Sequence, residues 1–237
     1  MSFYSTFAKY YEEIFPFSPG VFSFLQRYSK PPQRSLDVGC GSGHYAGQLA
    51  AQGNDVIGID LDSAMIDYAR QHYPDATFAA MDMRKILELG GGFDFVYCIG
   101  NSGAHLPQAD FRRFLVDLRK ILNPGGQWIL QLMNWDYILN QAVVHFPVIK
   151  TESDLTFTRA YTHISPASVQ FETALMSSKS PIFEDSVPLY PAVSQDVITM
   201  HTDLGFIPVA HYGNYAGGAF DPDVFSASIY VFSAPVQ

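Results

Sequence analysis

The chain has 237 residues, of which 48% are hydrophobic, 15% aromatic and 16% charged, so it can bury a large core and is too apolar to be disordered. Its 23 acidic residues against 14 basic ones give a net charge of −9, which argues against binding to nucleic acid backbones or anionic membranes. No apolar run reaches the roughly 18 residues of a membrane-spanning helix, and the N-terminus does not read as a signal peptide. Two cysteines, Cys40 and Cys98, cannot form a disulfide framework, so we expect a cytoplasmic protein.

Residues 35–133 alternate short apolar runs with helical periodicity, which predicts the β-α-β pattern of a parallel sheet. The predicted strands cover residues 35–38, 55–59, 77–80, 93–99 and 127–133. The predicted helices cover residues 44–52, 63–73 and 107–122, and Ser63 is expected to cap the second of them, with Asp60 and Asp62 as alternatives. Residues 123–126, Asn-Pro-Gly-Gly, predict a turn before the fifth strand.

The segments on either side of residues 35–133 differ from that region in composition and pattern. Residues 1–30 are rich in Tyr and Phe and predict two short helices, the second capped by Ser18 with Pro19 at its first position. After residue 133 the pattern predicts three antiparallel strands, then a helix and a terminal hairpin. The strands are expected at residues 155–161, 168–175 and 182–190, the helix at 194–204, and the hairpin strands at 206–212 and 225–232.

A glycine-rich motif at residues 37–44 lies where the first strand turns into the first helix. Its glycines, Gly39, Gly41 and Gly43, let the backbone pass close to a ligand, and the helix start offers free N–H groups. A dinucleotide site requires another glycine at the position of His44. Asp37, at the end of the strand, suits a cationic ligand group better than a pyrophosphate.

Further polar residues follow the next three strands. Asp60 ends the second strand, 17 residues after Gly43, where a carboxylate can accept hydrogen bonds from a ribose diol. Asp82 lies between two methionines after the third strand and can accept from an exocyclic amine. Gly100 and Asn101 follow the fourth strand. Because the carboxyl ends of parallel strands meet at one edge of a sheet, we expect one ligand site there.

Together these residues resemble the class I S-adenosylmethionine-dependent methyltransferases of the small-molecule type. Asp37 with the glycine loop, Asp60, Asp82 and the 123–126 turn are similar to four motifs of that family, over roughly residues 35–133. The resemblance implies an α/β fold with a Rossmann-like seven-stranded, mostly parallel sheet, helices on both faces and an antiparallel last strand. A β-rich insertion would follow the fifth strand.

The resemblance also implies S-adenosylmethionine as cofactor and assigns residues to it. Asp37 and the glycine loop would face its methionine portion, Asp60 its ribose hydroxyls, and Asp82 with Met83 its adenine. The full cofactor-binding prediction comprises Tyr11, Asp37, Gly39, Cys40, Gly41, Gly43, Asp60, Leu61, Asp82, Met83, Gly100 and Asn101.

His105 is the candidate catalytic base, because it follows the fourth strand and histidine titrates near neutral pH; a loop histidine without a role is the alternative. Tyr4, Tyr10 and Tyr11 are candidates for closing over the cofactor, or else pack in the core. Trp135, Tyr137 and Arg159 are candidates for the substrate pocket, and Arg159 would pair with a substrate carboxylate or be a surface charge. No histidine shows metal-ligand spacing, so no metal is expected.

We therefore expect a single domain, residues 1–237, divided into a helical cover (1–30), a cofactor-binding core (35–133), a substrate-cover insertion (134–190) and a terminal helix and hairpin (191–237). The expected function is methyl transfer from S-adenosylmethionine to an N or O atom of a small molecule by in-line displacement. A nicotinamide-dependent oxidoreductase and a non-catalytic S-adenosylmethionine-binding regulator are the alternatives. The expected state is a monomer or a homodimer without nucleic acid or membrane partners.

Overall fold

The structure, a computed structural model, describes residues 10–178 and 180–236. Its strands are β1 (Arg34–Val38), β2 (Asp55–Asp60), β3 (Thr77–Ala80), β4 (Phe93–Cys98), β5 (Leu122–Met133), β6 (Val144–His145), β7 (Ile149–Lys150), β8 (Leu155–Thr162), β9 (Val169–Ser177), β10 (Pro181–Leu189), β11 (Ile207–Tyr212) and β12 (Ala227–Ser233). Its α-helices are α1 (Tyr11–Ile14), α2 (Pro19–Gln26), α3 (His44–Ala51), α4 (Ser63–His72), α5 (Gln108–Ile121), α6 (Trp135–Ile138) and α7 (Ser194–Asp203). Tyr4 lies outside the described residues, so its place in the cover stays a prediction.

The larger sheet has seven strands in the order β11-β12-β5-β4-β1-β2-β3. Strands β1 to β5 are parallel to one another, whereas β12 runs antiparallel to both of its neighbours, β5 and β11. The predicted fold class, including the antiparallel last strand and the β-rich insertion after β5, is confirmed. Among the described residues, no helix is long and apolar enough to cross a bilayer.

Two apolar clusters cover opposite faces of this sheet. On one face, Val96 and Cys98 of β4 pack with the buried side of α5. On the other face, Phe95 and Tyr97 pack with residues of α2, α3 and α4. Successive residues of β4 thus point into different clusters, as in a strand that is buried on both faces. With both faces covered, the ends of the strands are left for a ligand site.

Helix α4 begins at Ser63 as predicted, and its cap is one of the alternatives to Ser63. Asp62 rather than Ser63 caps this helix, since its carboxylate accepts hydrogen bonds from the backbone N–H groups of Ala64 and Met65 at 2.9 and 3.1 Å. A carboxylate at this position also interacts favourably with the positive end of the helix dipole. At the start of α2, by contrast, Ser18 is the cap as predicted, with Pro19 at the first helical position.

The turn expected at residues 123–126 is instead the irregular beginning of β5. The pairing with β4 jumps from Phe93–Leu122 to Phe95–Gln127, so β5 bulges between these pairs. The backbone N–H of Ala234 donates to the carbonyl of Gly126 at 2.8 Å, which pins the bulge to the end of β12. The carbonyl group of Gly126 in the bulge is therefore hydrogen-bonded within the sheet, because the chain at the end of the antiparallel strand β12 supplies a donor.

The second sheet is antiparallel, with the strand order β10-β9-β8-β6 and with β7 also paired to β8. Its three long strands match the strands predicted at 155–161, 168–175 and 182–190 within two residues. The two-residue strands β6 and β7 and the short helix α6 escaped prediction because segments this short have no periodicity.

Helix α1 joins the two sheets. Ile14 is buried in a small apolar cluster with residues of α4 and β8. The hydroxyl of Tyr73, just after α4, donates to Glu12 at 2.8 Å, and the backbone N–H of Ser153, just before β8, donates to Glu13 at 3.1 Å. The helix is thus bonded to the larger sheet's helices on one side and to the second sheet on the other.

Candidate active site

A cavity of about 940 Å³ lies where the carboxyl ends of the central parallel strands meet the second sheet. Twelve of the thirteen predicted site residues line it: Tyr11, Asp37, Gly39, Cys40, Gly41, Asp60, Leu61, Asp82, Met83, Gly100, Asn101 and His105. They come from α1, from the ends of β1 and β2, and from the segments that follow β1, β2, β3 and β4, so the topology of the sheet brings them together. The exception is Gly43, which is not part of the lining.

The glycine loop separates into a cavity-facing part and a packing part. Gly41 has a φ of +54°, and a Cβ atom there would lie 3.2 Å from the ring and hydroxyl of Tyr11. Gly43 has a φ of +83°, and a Cβ atom there would lie 2.6 Å from the ring of Phe78 and 2.8 Å from Ala69. The third glycine therefore allows α3 to start close to β3 and α4, whereas the second allows α1 to approach the loop.

Asp37 is 2% exposed at the end of β1, and its Oδ1 atom has no hydrogen-bond partner among the described residues. Burial raises the pKa of this carboxyl group to about 8, and the nearby charge of Asp60 acts in the same direction. The neighbouring Tyr97 hydroxyl opposes that rise. A buried oxygen without a partner is costly unless a ligand supplies one, and a cationic group would satisfy it and ionise it.

Asp60 braces the glycine loop from the end of β2. Its Oδ2 atom accepts the backbone N–H of Gly41 at 2.9 Å, and its Oδ1 atom accepts that of Asp62 at 3.0 Å. Burial raises the pKa of Asp60, while these backbone donors lower it. Each carboxylate oxygen has a second lone pair, so the group can still accept hydrogen bonds from a diol.

Asp82 is already engaged by Arg84, a cavity residue that the sequence analysis did not single out. The Nε atom of Arg84 lies 3.0 and 2.9 Å from the two carboxylate oxygens of Asp82, and its Nη1 atom lies 3.5 Å from Asp110. The hydrogen bonds from Arg84 hold the pKa of Asp82 below its usual value. Asp82 is therefore ionised. An amine of a ligand would have to share the Asp82 carboxylate with the guanidinium group of Arg84. Leu61, 76% exposed, and Met83 add apolar surface nearby.

The segment after β4 carries Asn101 and His105. Asn101 has a φ of +67°, accepts the backbone N–H of Met133 at 2.9 Å and donates to the Tyr161 hydroxyl of β8 at 3.3 Å. It thus connects the strand ends to the second sheet. Burial lowers the pKa of His105, so its imidazole is neutral near pH 7 and able to accept a proton.

The far wall of the cavity is aromatic and comes from α1 and the second sheet. Its residues are Ile14, Phe15, Phe146, Phe157, Arg159, Tyr161 and Phe171. Apart from Arg159, sequence analysis missed these residues, although Phe157, Arg159 and Tyr161 recur at every second position, as on one face of a strand. Trp135 and Tyr137 do not line the cavity: Trp135 is buried and stacks on Tyr161 at 5.3 Å between ring centroids, and Tyr137 is half exposed.

The predicted site also includes the thiol of Cys40. Cys40 lines the cavity, and burial together with the charges of Asp37 and Asp60 raises its thiol pKa, so it stays a neutral thiol. Both cysteines are free. Among residues 10–178 and 180–236, no group of His, Cys, Asp and Glu side chains is arranged to hold a metal ion.

Residues 36–126 match the family model described as a methyltransferase domain. This stretch of the chain therefore carries a methyltransferase domain. The resemblance inferred from the motifs is confirmed, since the match spans the glycine loop and the segments after β2, β3 and β4. These are the segments that supply the acidic side of the cavity.

Known proteins resemble this methyltransferase domain in two ways. The glycine N-methyltransferase of Oryctolagus cuniculus is 33% identical over 127 residues, which are 46% of this chain and 43% of that protein. The CcbJ methyltransferase of Streptomyces caelestis superposes with a TM-score of 0.83 at 19% identity, covering 98% of both chains. An S-adenosylmethionine-dependent methyltransferase from Clostridium acetobutylicum gives 0.80 at 13% identity, covering 99% of this chain and 100% of that one. The two solved structures establish the fold, and the chain spans less than half of the rabbit relative.

Proposed function

We propose that the chain is an S-adenosylmethionine-dependent methyltransferase that methylates an N or O atom of a small molecule. The observation that carries this proposal is the buried Oδ1 atom of Asp37, which has no hydrogen-bond partner among the described residues and lies beside the glycine loop in one cavity with Asp60 and Asp82. Three carboxylates at successive strand ends suit a ligand that presents an ammonium, a diol and an amine in that order.

The residues present fit this cofactor. Asp37 would hold its ammonium group, Asp60 its ribose hydroxyls, and Asp82 its adenine amine, with Leu61 and Met83 against the ring. Tyr11 would close over the methionine portion, because it lies against Gly41. When bound, S-adenosylmethionine supplies a methyl group activated by a positively charged sulfur.

The chain's own contribution to catalysis would be positioning and exclusion of water. The second sheet and α1 would hold the acceptor opposite the leaving sulfur, and their rings would keep water from the reacting atoms. His105 would take the proton from an amine or hydroxyl, since its neutral imidazole faces the same cavity. A substrate that arrives deprotonated would not need this base.

The size of the cavity supports a small-molecule acceptor. Its volume of about 940 Å³ is near the upper end of the range of small-molecule sites, roughly 300–1,000 Å³, and leaves room for a cofactor and a compact acceptor. The net charge of −9 disfavours nucleic acid as substrate. The rabbit relative is named for methylation of the nitrogen of glycine, which favours an N acceptor here. Free cysteines agree with a cytoplasmic location, where the protein would act as a monomer or homodimer.

Calorimetric titration of the protein with S-adenosylmethionine, S-adenosylhomocysteine and NAD tests the proposal. We expect the two sulfur compounds to bind and NAD not to bind, because His44 stands where a dinucleotide loop requires glycine. Binding of NAD alone would favour an oxidoreductase and contradict the proposal. Formation of S-adenosylhomocysteine with a panel of amines, hydroxy acids and phenols then separates an enzyme from a regulator that only binds the cofactor.

A further inference from the structure

Arg159 is a cavity residue that cofactor binding and methyl transfer leave without a role. It lies on β8 between Phe157 and Tyr161, and these three side chains line the cavity as one row. Its guanidinium carbon lies 5.3 Å from the ring centroid of Phe15, 5.2 Å from that of Phe146 and 5.7 Å from that of Phe157. The cation is therefore enclosed by aromatic rings drawn from three separate segments of the chain.

The rings leave the buried Nε atom of Arg159 without an acceptor among the described residues. Within the described residues Arg159 also forms no ion pair. Arg84, also in the cavity, is by contrast held by Asp82 and Asp110. Ring faces attract a cation but cannot accept all the planar N–H groups of a guanidinium. A buried donor without an acceptor destabilises the fold, so this arrangement favours an acceptor supplied by a ligand.

We propose that Arg159 binds a carboxylate of the acceptor substrate, so that the protein methylates a small carboxylic acid. This inference rests on the proposed function. A carboxylate matches the planar, two-pronged donor face of a guanidinium. A phosphate dianion would need further cationic partners, and Arg84 is already paired.

The position of Arg159 along β8 leaves room for the reacting atom. Tyr161, two residues further on, accepts a hydrogen bond from Asn101 beside the strand ends. The three aspartates proposed to hold the cofactor lie at these strand ends. Two residues of a strand span about 7 Å. The carboxylate would therefore lie under the second sheet, and the N or O acceptor would extend towards the loop after β4.

The cofactor itself offers a second carboxylate, and the experiment must distinguish the two sources. Calorimetry on the full chain, saturated with S-adenosylhomocysteine, would compare phenylacetate and 4-aminobutanoate with their amides. We expect at least one carboxylate to bind at least tenfold more tightly than its amide, and Arg159→Gln to weaken that carboxylate roughly 10- to 100-fold. Arg159→Lys, which keeps the positive charge but not the planar pair of N–H donors, should retain part of the preference for the acid over its amide. Arg113→Gln, which changes an 81% exposed side chain on α5, is the matched control and should have no effect.

The other outcomes distinguish failure of this inference from failure of the proposed function. Equal binding of acids and amides, no binding of either, or an unchanged preference in Arg159→Gln would overturn it. If Arg159→Gln weakens S-adenosylhomocysteine but not 5′-methylthioadenosine, which lacks the amino acid portion, Arg159 holds the cofactor and the inference is wrong. If the wild-type protein binds no S-adenosylhomocysteine, the proposed function fails, and the same acid and amide titrations on the ligand-free protein still test Arg159.

Discussion

The two sides of the cavity are built by different means. The side at the strand ends consists of backbone held in turns and of three carboxylates, Asp37, Asp60 and Asp82, each placed by the end of a parallel strand. The side under the second sheet consists of aromatic rings and Arg159, placed by alternation along an antiparallel strand. The first arrangement depends on a few positions close in sequence, whereas the second depends on which face a strand turns inward. If the first side binds the cofactor and the second the acceptor, as proposed, we expect mutations to separate the two functions.

The largest effect is expected where the two sides meet. Gly41→Val should abolish binding of S-adenosylmethionine, with at least a hundredfold loss of affinity, because its side chain would collide with Tyr11 at a φ of +54°. Titration calorimetry measures this loss, and circular dichroism checks that the variant folds. Gly91→Ala is the control, since a Cβ there has its nearest contacts at 3.8 Å. Normal binding by Gly41→Val would show that the loop does not approach the cofactor.

Removing Asp60 should affect the strand-end side alone. Asp60→Ala loses the proposed ribose acceptor and also the acceptor for the Gly41 N–H, so S-adenosylmethionine should bind roughly 10- to 100-fold more weakly. Asp67→Ala, which changes an exposed residue of α4, should bind normally. Because the proposed carboxylate site at Arg159 does not include Asp60, a matching loss of phenylacetate affinity would contradict the separation of the two sides.

The buried carboxyl group of Asp37 predicts a pH dependence of cofactor binding. With a pKa of about 8 it is mostly protonated at neutral pH, and a cationic ligand group must displace that proton. The affinity for S-adenosylmethionine should therefore rise up to tenfold per pH unit between about pH 6.5 and pH 8, then level off. Calorimetry in buffers of different ionisation enthalpy measures the proton released. Asp37→Asn should bind more weakly and lose most of this pH dependence.

The same shift bears on stability without ligand. The folded-state pKa of Asp37 lies above its ordinary value of 3.8, so the unfolded chain releases this proton first as the pH rises. This group's contribution to stability is therefore complete below about pH 4 and is lost as the pH rises through about 8. Thermal unfolding of the ligand-free protein should accordingly show a smaller decline with pH in Asp37→Asn than in the wild type.

The smallest effect is expected at the hydrogen bond between the two sides. Tyr161→Phe removes the acceptor for Asn101 but keeps the ring, so the KM for the acceptor should rise about two- to tenfold with unchanged cofactor affinity. Tyr137→Phe, which changes a half-exposed ring outside the cavity, is the control. A change in cofactor affinity without a change in KM would place Tyr161 in the cofactor site instead.

Much of the strand-end side was predictable from sequence because its geometry is local. The glycine loop, Asp37, Asp60 and Asp82 each sit at a junction between a strand and the next segment, and hydrophobic periodicity locates such junctions. Two details were not predictable. Gly43 serves packing against Phe78, a residue more than thirty positions away, and Arg84 shares Asp82 through a side-chain conformation that no pattern encodes.

The aromatic side was predicted in its location but not in its residues. The strands of the insertion were recognisable, yet which face of β8 turns inward depends on its pairing with β9 and on the packing of α1. Phe15 and Phe146 reach Arg159 from segments without regular periodicity. Trp135, the largest side chain of the insertion's start, is buried against Tyr161 instead of facing the cavity. Size and aromaticity alone therefore did not identify the lining.

Helix α1 has a consequence for the order of events in turnover. It is bonded through Glu12 to Tyr73 and through Glu13 to Ser153, and its Tyr11 covers the glycine loop. If the cofactor and the acceptor both enter beneath this helix, its hydrogen bonds on both sides must break before either ligand can exchange. The cofactor, as the ligand bound deeper against the glycine loop, would then enter first and leave last. Steady-state kinetics would then follow an ordered scheme with the cofactor as leading substrate, and the rate at which α1 detaches would set an upper limit on turnover.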